Sequence, residues 1–431
     1  MSFDQVVALV VLTCVVAGLI WGKLRSDVVA LTGAAALLIT GTIRPTEVQG
    51  AFGSPAILAL ASLFVIAYAM ELSGLLGALI RQATRLCGRL GVFGLWIVIA
   101  LCGGASAFLN NTPIVVLGAP LVRDVARSLQ LSPKRFLIPL SYVTILGGAC
   151  TLIGTSTNLL VNDMARTAGQ PAFSLFEVTP VGVIIGIVGA LYLILFGGRI
   201  LGRRVDGQEG AGGGSVRDGG ELGDPSLYEQ DLPFKLLPSL TALAVFSGVI
   251  VIAALGYAPI AATAFGGAVL LILLRVISPE QAYRGLRPEI LLLIAGMVVV
   301  GLSLEVTGLA AVASNALVDF IRPFGPLAAL ALLYGSALFA TEILSNAAIA
   351  VLLTPIAVAL AESLGVSPRP FLVGVMMAAS AAFATPFGYQ TNVLVYKLGD
   401  YNYMDFVRVG VPLNLVTWAA AVIAIPFFFP F

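Results

Sequence analysis

The chain has 431 residues, 59% of them hydrophobic and 10% charged, with a mean hydropathy of +1.03. Soluble domains carry about 25% charged residues, so this composition describes an all-α polytopic membrane protein. A net charge of +1 gives no field for nucleic acid, and the absence of histidine removes a His proton relay, a His-ligated metal and a Ser-His-Asp triad.

In chain order, Met1 to Gln5 lack a basic leader, so the first apolar run reads as a retained helix. The first half predicts spans at about 6–22, 27–43 and 55–80, a hairpin at about 92–128, a broken helix at about 136–168 and a span at about 179–201. Residues 203–235, rich in Gly with mixed charge, read as a flexible linker. The second half predicts spans at about 237–255, 259–277 and 288–312, a hairpin at about 326–362, a broken helix at about 370–398 and a span at about 409–429. Cys14, Cys87, Cys102 and Cys150 lack metal-ligand spacing and read as small packing residues.

The halves 1–202 and 236–431 are repeats. Pro45, Glu71 and Gly74 match Pro279, Glu305 and Gly308; Asn111, Pro120, Leu129, Ser132-Pro133 and Phe136 match Asn346, Pro355, Leu364, Ser367-Pro368 and Phe371. Five spans plus one hairpin per repeat force the second copy upside down, the inverted pattern of secondary transporters. With both termini outside, every Lys and Arg except Arg44, Arg166, Arg322 and Arg369 falls on the cytoplasmic side, the 203–235 linker included. The first hairpin then enters from the cytoplasm and the second from outside.

Four polar interruptions break the apolar runs: Ser106 to Pro113, Thr341 to Ala347, Gly154 to Asn158, and Thr385 to Asn392. An amide inside a membrane is costly unless it is hydrogen-bonded, so four interruptions related by a repeat read as one binding site built twice. Thr112-Pro113 resembles an N-cap with proline at the first helical position, and Thr157 or Asn158 and Thr391-Asn392 stand at matching helix starts. Helix N-termini converging at the midplane suit an anion. Asn110, Asn111, Thr112, Ser345 and Asn346 at the tips, with Thr157, Asn158, Thr391 and Asn392 at the breaks, are its candidate ligands. Thr155, Ser156 and Gln390 either line the site or pack beside it, and Tyr389 and Tyr396 read as packing residues. The opposing helix ends leave carbonyls that, with Ser106, Asn111 and Thr155, make a hard oxygen set suited to Na⁺. Thr341 holds the position equivalent to Ser106, which suggests a second such site.

Glu342, in the second interruption, is a candidate proton carrier, because intramembrane carboxylates are expensive. Glu71 and Glu305, each followed by Gly three residues on, read as structural at helix bends.

These residues resemble a family. Asn110-Asn111-Thr112 and Ser345-Asn346-Ala347 are similar to the paired Ser-Asn-Thr tips of divalent anion:sodium symporters, within the ion transporter superfamily and its citrate-transporter-like domain. The runs ending at Asn158 and Asn392 resemble that family's helix breaks. The resemblance implies a homodimer with scaffold and transport parts and an elevator motion. It implies one sodium site at Ser106, Asn110, Asn111 and Gly154, and another at Thr341, Ser345, Asn346 and the backbone near Ala384. Two tip positions depart from the pattern, Asn110 in place of Ser and Ala347 in place of Thr. Bacterial relatives with soluble domains between the repeats differ from this chain, which has only the short linker.

The reading is a multi-pass inner-membrane symporter that carries a small divalent anion, a di- or tricarboxylate or sulfate, with Na⁺ as the coupling ion and no other cofactor. Proton coupling or cation/proton antiport through Glu342, and an anion channel, are the alternatives. An intramembrane enzyme would need catalytic groups that this sequence does not assemble. A dicarboxylate needs two separated donor clusters, whereas a tetrahedral sulfate can be held by one.

Overall fold

The computed structural model describes residues 2–21, 23–79, 82, 90–201, 234–309, 312 and 325–431. The linker expected at 203–235 lies almost wholly outside these residues, as do Arg81, Arg85, Cys87, Arg89 and Arg322. The described residues contain helices and no strand.

The first half runs α1 (Phe3–Trp21), α2 (Ser26–Ile39), α3 (Pro45–Phe52), α4 (Pro55–Leu72), α5 (Val92–Ser106), α6 (Asn111–Ser128), α7 (Lys134–Gly148), α8 (Ser156–Thr167) and α9 (Thr179–Tyr192). After α9 the helix continues through a π-helical turn, Leu193–Gly197, to Leu201. The second half follows the same order: α10 (Leu236–Ala254), α11 (Ile260–Leu273), α12 (Pro279–Gly285), α13 (Pro288–Val306), α14 (Gly325–Ala340), α15 (Asn346–Leu364), α16 (Arg369–Ala379), α17 (Gln390–Leu398) and α18 (Tyr403–Phe428). Six helical segments of the described residues are long and apolar enough to cross a bilayer, with α4, α9, α10, α13, α15 and α18 at their centres. The chain is an all-α, multi-pass membrane protein.

Two expected spans are shorter than anticipated. The runs at 27–43 and 259–277 are the 14-residue helices α2 and α11. Each ends where the backbone turns left-handed, at Gly41 (φ 75°) and Arg275 (φ 56°). The chain then restarts as a short helix with Pro45 or Pro279 at its first turn, where a missing N–H costs nothing. Gly74 and Gly308 also adopt positive φ and donate their amides to the carbonyls of Glu71 and Glu305 at 2.9 Å. Both glutamates therefore sit at helix-ending bends.

Packing between the halves is reciprocal. Helix α2 lies on α13 and α4 on α11; α6 lies on α17 and α8 on α15; α9 lies on α18. Within each half the first arm of the helix pair packs on the following helix, α5 on α7 and α14 on α16. Helices α1–α4 and α10–α13 touch the remainder mainly through α8 and α15, which rest on α4 and α13. Gly301 of α13 makes this approach possible: a Cβ there would meet Met164 Cε of α8 at 2.5 Å and Val351 Cγ1 of α15 at 2.6 Å.

Candidate functional site

The two tips are built alike. Ser106, the last residue of α5, donates its hydroxyl to Asn111 Oδ1 at 2.5 Å, and Thr341 donates to Asn346 Oδ1 at 2.8 Å. Ser106 and Thr341 are fully buried and Asn111 nearly so. The helix starts differ from the Thr112-Pro113 expectation. Asn110 is the N-cap of α6 and accepts from the Thr112 amide at 3.2 Å; Ser345 caps α15 and accepts from the Ala348 amide at 3.3 Å. Pro113 then falls inside the first turn, where the amides have no intrahelical partner to lose.

The breaks are also matched. In the first, the Thr151 hydroxyl donates to the Ala107 carbonyl and accepts from the Gly154 amide at 3.1 Å. In the second, Thr385 lies 3.4 Å from the Glu342 carbonyl and accepts from the Gly388 amide at 3.0 Å. Helices α8 and α17 begin earlier than Thr157, Asn158 and Thr391-Asn392 suggested, after extended N-caps at Thr155 and Tyr389 that make no side-chain cap bond. Asn158 and Asn392 are fully buried and turn their amide hydrogens back on the loops. Asn158 donates to the Thr151 carbonyl at 2.9 Å, and Asn392 to the Ala382 and Thr385 carbonyls at 2.9 and 3.2 Å. Thr157 and Thr391 are buried with them. Ser141 of α7 lies 2.7 Å from both Thr391 Oγ1 and Asn392 Oδ1, tying the first half to the second break.

Beneath the first tip, oxygens gather. A Cβ built on Gly154 would meet the carbonyl oxygens of Gly148, Ala107 and Ser106 at 2.4, 2.8 and 2.9 Å. One built on Gly148 would meet Asn111 Oδ1 at 2.6 Å and the Gly154 carbonyl at 3.2 Å. Only glycine leaves this space open. Five uncharged oxygens form a hard donor set with no carboxylate, a composition that fits a singly charged cation. The second half differs, because Glu342 stands there where Ala107 stands in the first. Its carboxylate accepts from the Ala384 amide (2.7 Å), the Thr385 amide (2.9 Å), the Thr385 hydroxyl (2.8 Å) and Asn414 Nδ2 (2.9 Å). Four donors on two oxygens is the arrangement of an acceptor-only carboxylate.

The halves meet at the first tip. Asn111 Nδ2 donates to the Tyr389 hydroxyl at 2.9 Å, and Thr112 Oγ1 to Gln390 Oε1 at 3.0 Å. Beside this junction lies a cavity of about 50 Å³ lined by Asn110, Gly154, Thr155, Ser156 and Tyr389, together with Phe64 of α4 and Phe246 of α10. No Lys or Arg lines it, and neither do Ser345, Asn346 or Ala347 of the second tip. The amide end of α8 opens on this cavity, since Thr155 leaves the first-turn N–H groups uncapped by its side chain.

Sequence reasoning placed Tyr389 in packing and did not single out Ser141, Thr151 or Asn414. Tyr389 carried one available signal: it sits in the second break at the position of Thr155 in the first. The other three act through contacts that residue spacing does not reveal.

Comparison with known proteins is consistent with this architecture. A family model described as citrate transporter matches residues 16–365. An uncharacterized transporter of Synechocystis sp. is 26% identical over 95% of this chain and 94% of its own length. One of Escherichia coli is 25% identical over 95% and 97%. Those alignments run to 578 and 589 positions, longer than this chain, so both relatives carry stretches it lacks. Sodium/sulfate cotransporter 1 of Chlamydomonas reinhardtii is 34% identical over 34% of this chain and 17% of that protein. With its family match covering most of the sequence, the chain belongs to the citrate transporter family.

Proposed function

We propose that the protein is a Na⁺-coupled symporter of a small divalent anion, with sulfate its preferred substrate. The observation that carries this reading is the cavity at the first tip, where one compact donor cluster adjoins five neutral oxygens. Ser106, Ala107, Asn111, Gly148 and Gly154 supply those oxygens as a ring for the first Na⁺. Thr341, Ser345, Asn346 and the backbone near Ala384 surround the second. The anion takes hydrogen bonds from Asn110, Ser156 and the open end of α8, with the helix dipole and bound Na⁺ offsetting its charge. Because Thr157, Asn158, Thr391 and Asn392 point into the breaks, their part is to hold the loops in shape. A one-cluster cavity suits a tetrahedral oxyanion better than an extended dicarboxylate, and the sodium/sulfate names of the Chlamydomonas relatives support the same choice.

The reciprocal contacts between halves support inverted repeats around a midplane site. Helices α1–α4 and α10–α13 serve as a scaffold, and α5–α9 with α14–α18 travel as an elevator within a homodimer. With both termini outside, α8 and α15 occupy the outer half of the membrane. Their matched partners α6 and α17 make no comparable scaffold contact, as expected of a carrier resting at its cytoplasmic end.

Proton coupling through Glu342 is disfavoured by the four donors that already hold its carboxylate. The test is radiolabelled uptake into proteoliposomes with an inward Na⁺ gradient, comparing sulfate, succinate and citrate. Concentrative sulfate uptake that needs Na⁺ and is lost in Asn111→Ala and Asn346→Ala is the expected result. Uptake driven by a pH gradient alone, or flux that never exceeds equilibrium, would overturn the reading in favour of proton coupling or a channel.

A further inference from the structure

Among the described residues, the clasp between the halves is formed at the first tip and has no counterpart at the second. Tyr389 and Gln390 hold Asn111 and Thr112. The repeat-related positions are Thr155 and Ser156 for the break, and Asn346 and Ala347 for the tip. Alanine offers no hydrogen bond, and threonine lacks the reach of a tyrosine ring. The second tip therefore cannot reproduce the link, and the cavity lined by Asn110, Gly154, Thr155, Ser156 and Tyr389 lies on the clasped side.

The Tyr389 hydroxyl joins the cavity to the first tip. It lines the cavity, accepts from Asn111 Nδ2, and stands beside the Thr155 hydroxyl on the same wall. A phenol has one proton to donate and two lone pairs to accept with. The Asn111 bond uses a lone pair and leaves the proton, for which an oxyanion in the cavity competes with Thr155. Hydrogen bonds to a charged acceptor are roughly twice as strong as neutral ones, so the anion wins that competition. The same Asn111 bond fixes which way the amide faces. With Nδ2 held by Tyr389, Oδ1 must turn toward Ser106 and the oxygen ring.

We propose that Tyr389 binds the transported oxyanion through its hydroxyl proton while orienting Asn111 for Na⁺, so that one hydroxyl couples anion and cation. This rests on the symport reading and deepens it. The consequence is directional. An anion that takes the phenol proton polarises the oxygen, strengthens the bond from Asn111 and sharpens the cation site; Na⁺ on Asn111 Oδ1 reciprocates. Reciprocity of this kind is required of any coupling between two binding equilibria.

The test is equilibrium binding of radiolabelled sulfate, succinate and citrate to the purified full-length protein, titrated with NaCl against choline chloride. Tyr389→Phe keeps the ring and removes the hydroxyl; Tyr396→Phe, whose ring packs on Phe387 and Phe406, controls for loss of a phenol elsewhere. Tyr389→Phe is expected to raise the Kd of the anion the wild type binds about tenfold or more, as for loss of a hydrogen bond to a charged group. It should also raise the half-saturating Na⁺ concentration and reduce the dependence of anion affinity on Na⁺. Tyr396→Phe should match the wild type in all three. A wild type that binds an anion in Na⁺, with Tyr389→Phe equal to it in Kd and Na⁺ dependence, overturns this assignment alone. A wild type that binds none of the three anions in Na⁺ overturns the symport reading and this assignment with it.

Discussion

Replacing Gly154 with alanine tests the oxygen ring directly. The added Cβ would sit 2.4, 2.8 and 2.9 Å from three backbone carbonyl oxygens, all closer than a carbon tolerates. Backbone cannot swing aside as a flexible side chain can, so the ring must open or the break must shift. Overpacking of this kind costs about 1–3 kcal/mol, and the carbonyls that retreat are the proposed Na⁺ ligands. The assay is thermal unfolding of the purified protein in NaCl and in choline chloride. Na⁺ at about a hundred times its Kd stabilises the wild type by about 2.7 kcal/mol, a shift of several degrees. Gly154→Ala should melt earlier in choline and gain almost nothing from Na⁺. Gly104→Ala, where an added Cβ has nothing within 4 Å, should keep the full Na⁺ response. A Gly154→Ala protein that retains the wild-type Na⁺ shift would refute the assignment of this ring to the cation.

Glu342→Gln turns an amide toward the backbone N–H of Ala384 or Thr385, so we expect a loss of about 1–3 kcal/mol in thermal stability. Uptake that survives should still follow Na⁺ and stay flat between about pH 6 and 8, an interval wide enough to expose a titrating carrier; a stable variant that loses a pH dependence present in the wild type would restore the proton-carrier role. Gly301→Ala places a Cβ 2.5 Å from Met164 Cε and 2.6 Å from Val351 Cγ1, so uptake should fall and thermal stability drop by about 1–3 kcal/mol; full uptake and stability would exclude a role for this close approach of α8 and α15 to α13. Tyr142→Phe removes the hydrogen bond to the Phe383 carbonyl, 2.5 Å long and fully buried. The expected cost is about 0.5–1.5 kcal/mol in the melting curve with Na⁺ affinity unchanged; a lost Na⁺ response would place Phe383 in the second cation site instead.

Much of this architecture was legible because membrane burial punishes polar residues, so their positions are informative. The four interruptions stood out for that reason, and the repeat spacing paired Ser106 with Thr341 and Asn111 with Asn346 before their matching hydrogen bonds could be seen. Helix starts were harder. Thr112-Pro113 has the look of a cap, yet Asn110 takes that place, since a proline is tolerated anywhere in a first turn whose amides lack partners. The short helices α3 and α12 were hidden because they fall in the polar connections between expected spans, just after the left-handed turns at Gly41 and Arg275. Tyr389 was the least legible residue. Its partner lies 278 positions away, and an aromatic in an apolar run is ordinarily core. Glu342 was visible as a buried charge, but its four donors come from two distant parts of the chain, Ala384-Thr385 and Asn414.

The brevity of α2 and α11 has a consequence for the surrounding lipid. Fourteen helical residues rise only about 21 Å, against a hydrocarbon thickness of about 30 Å. Both helices expose apolar side chains, among them Val28 and Ile39 on α2 and Phe265 and Leu273 on α11. Acyl chains at these faces must compress, with α3 and α12 covering the exposed ends. Mismatch costs fractions of a kcal/mol per Å, so the bilayer is expected to thin around these two helices. On the proposed elevator reading, a thinner membrane at the scaffold would shorten the distance over which a charged cargo must be shielded from lipid. Turnover should then respond to acyl-chain length, with shorter lipids favouring the carrier.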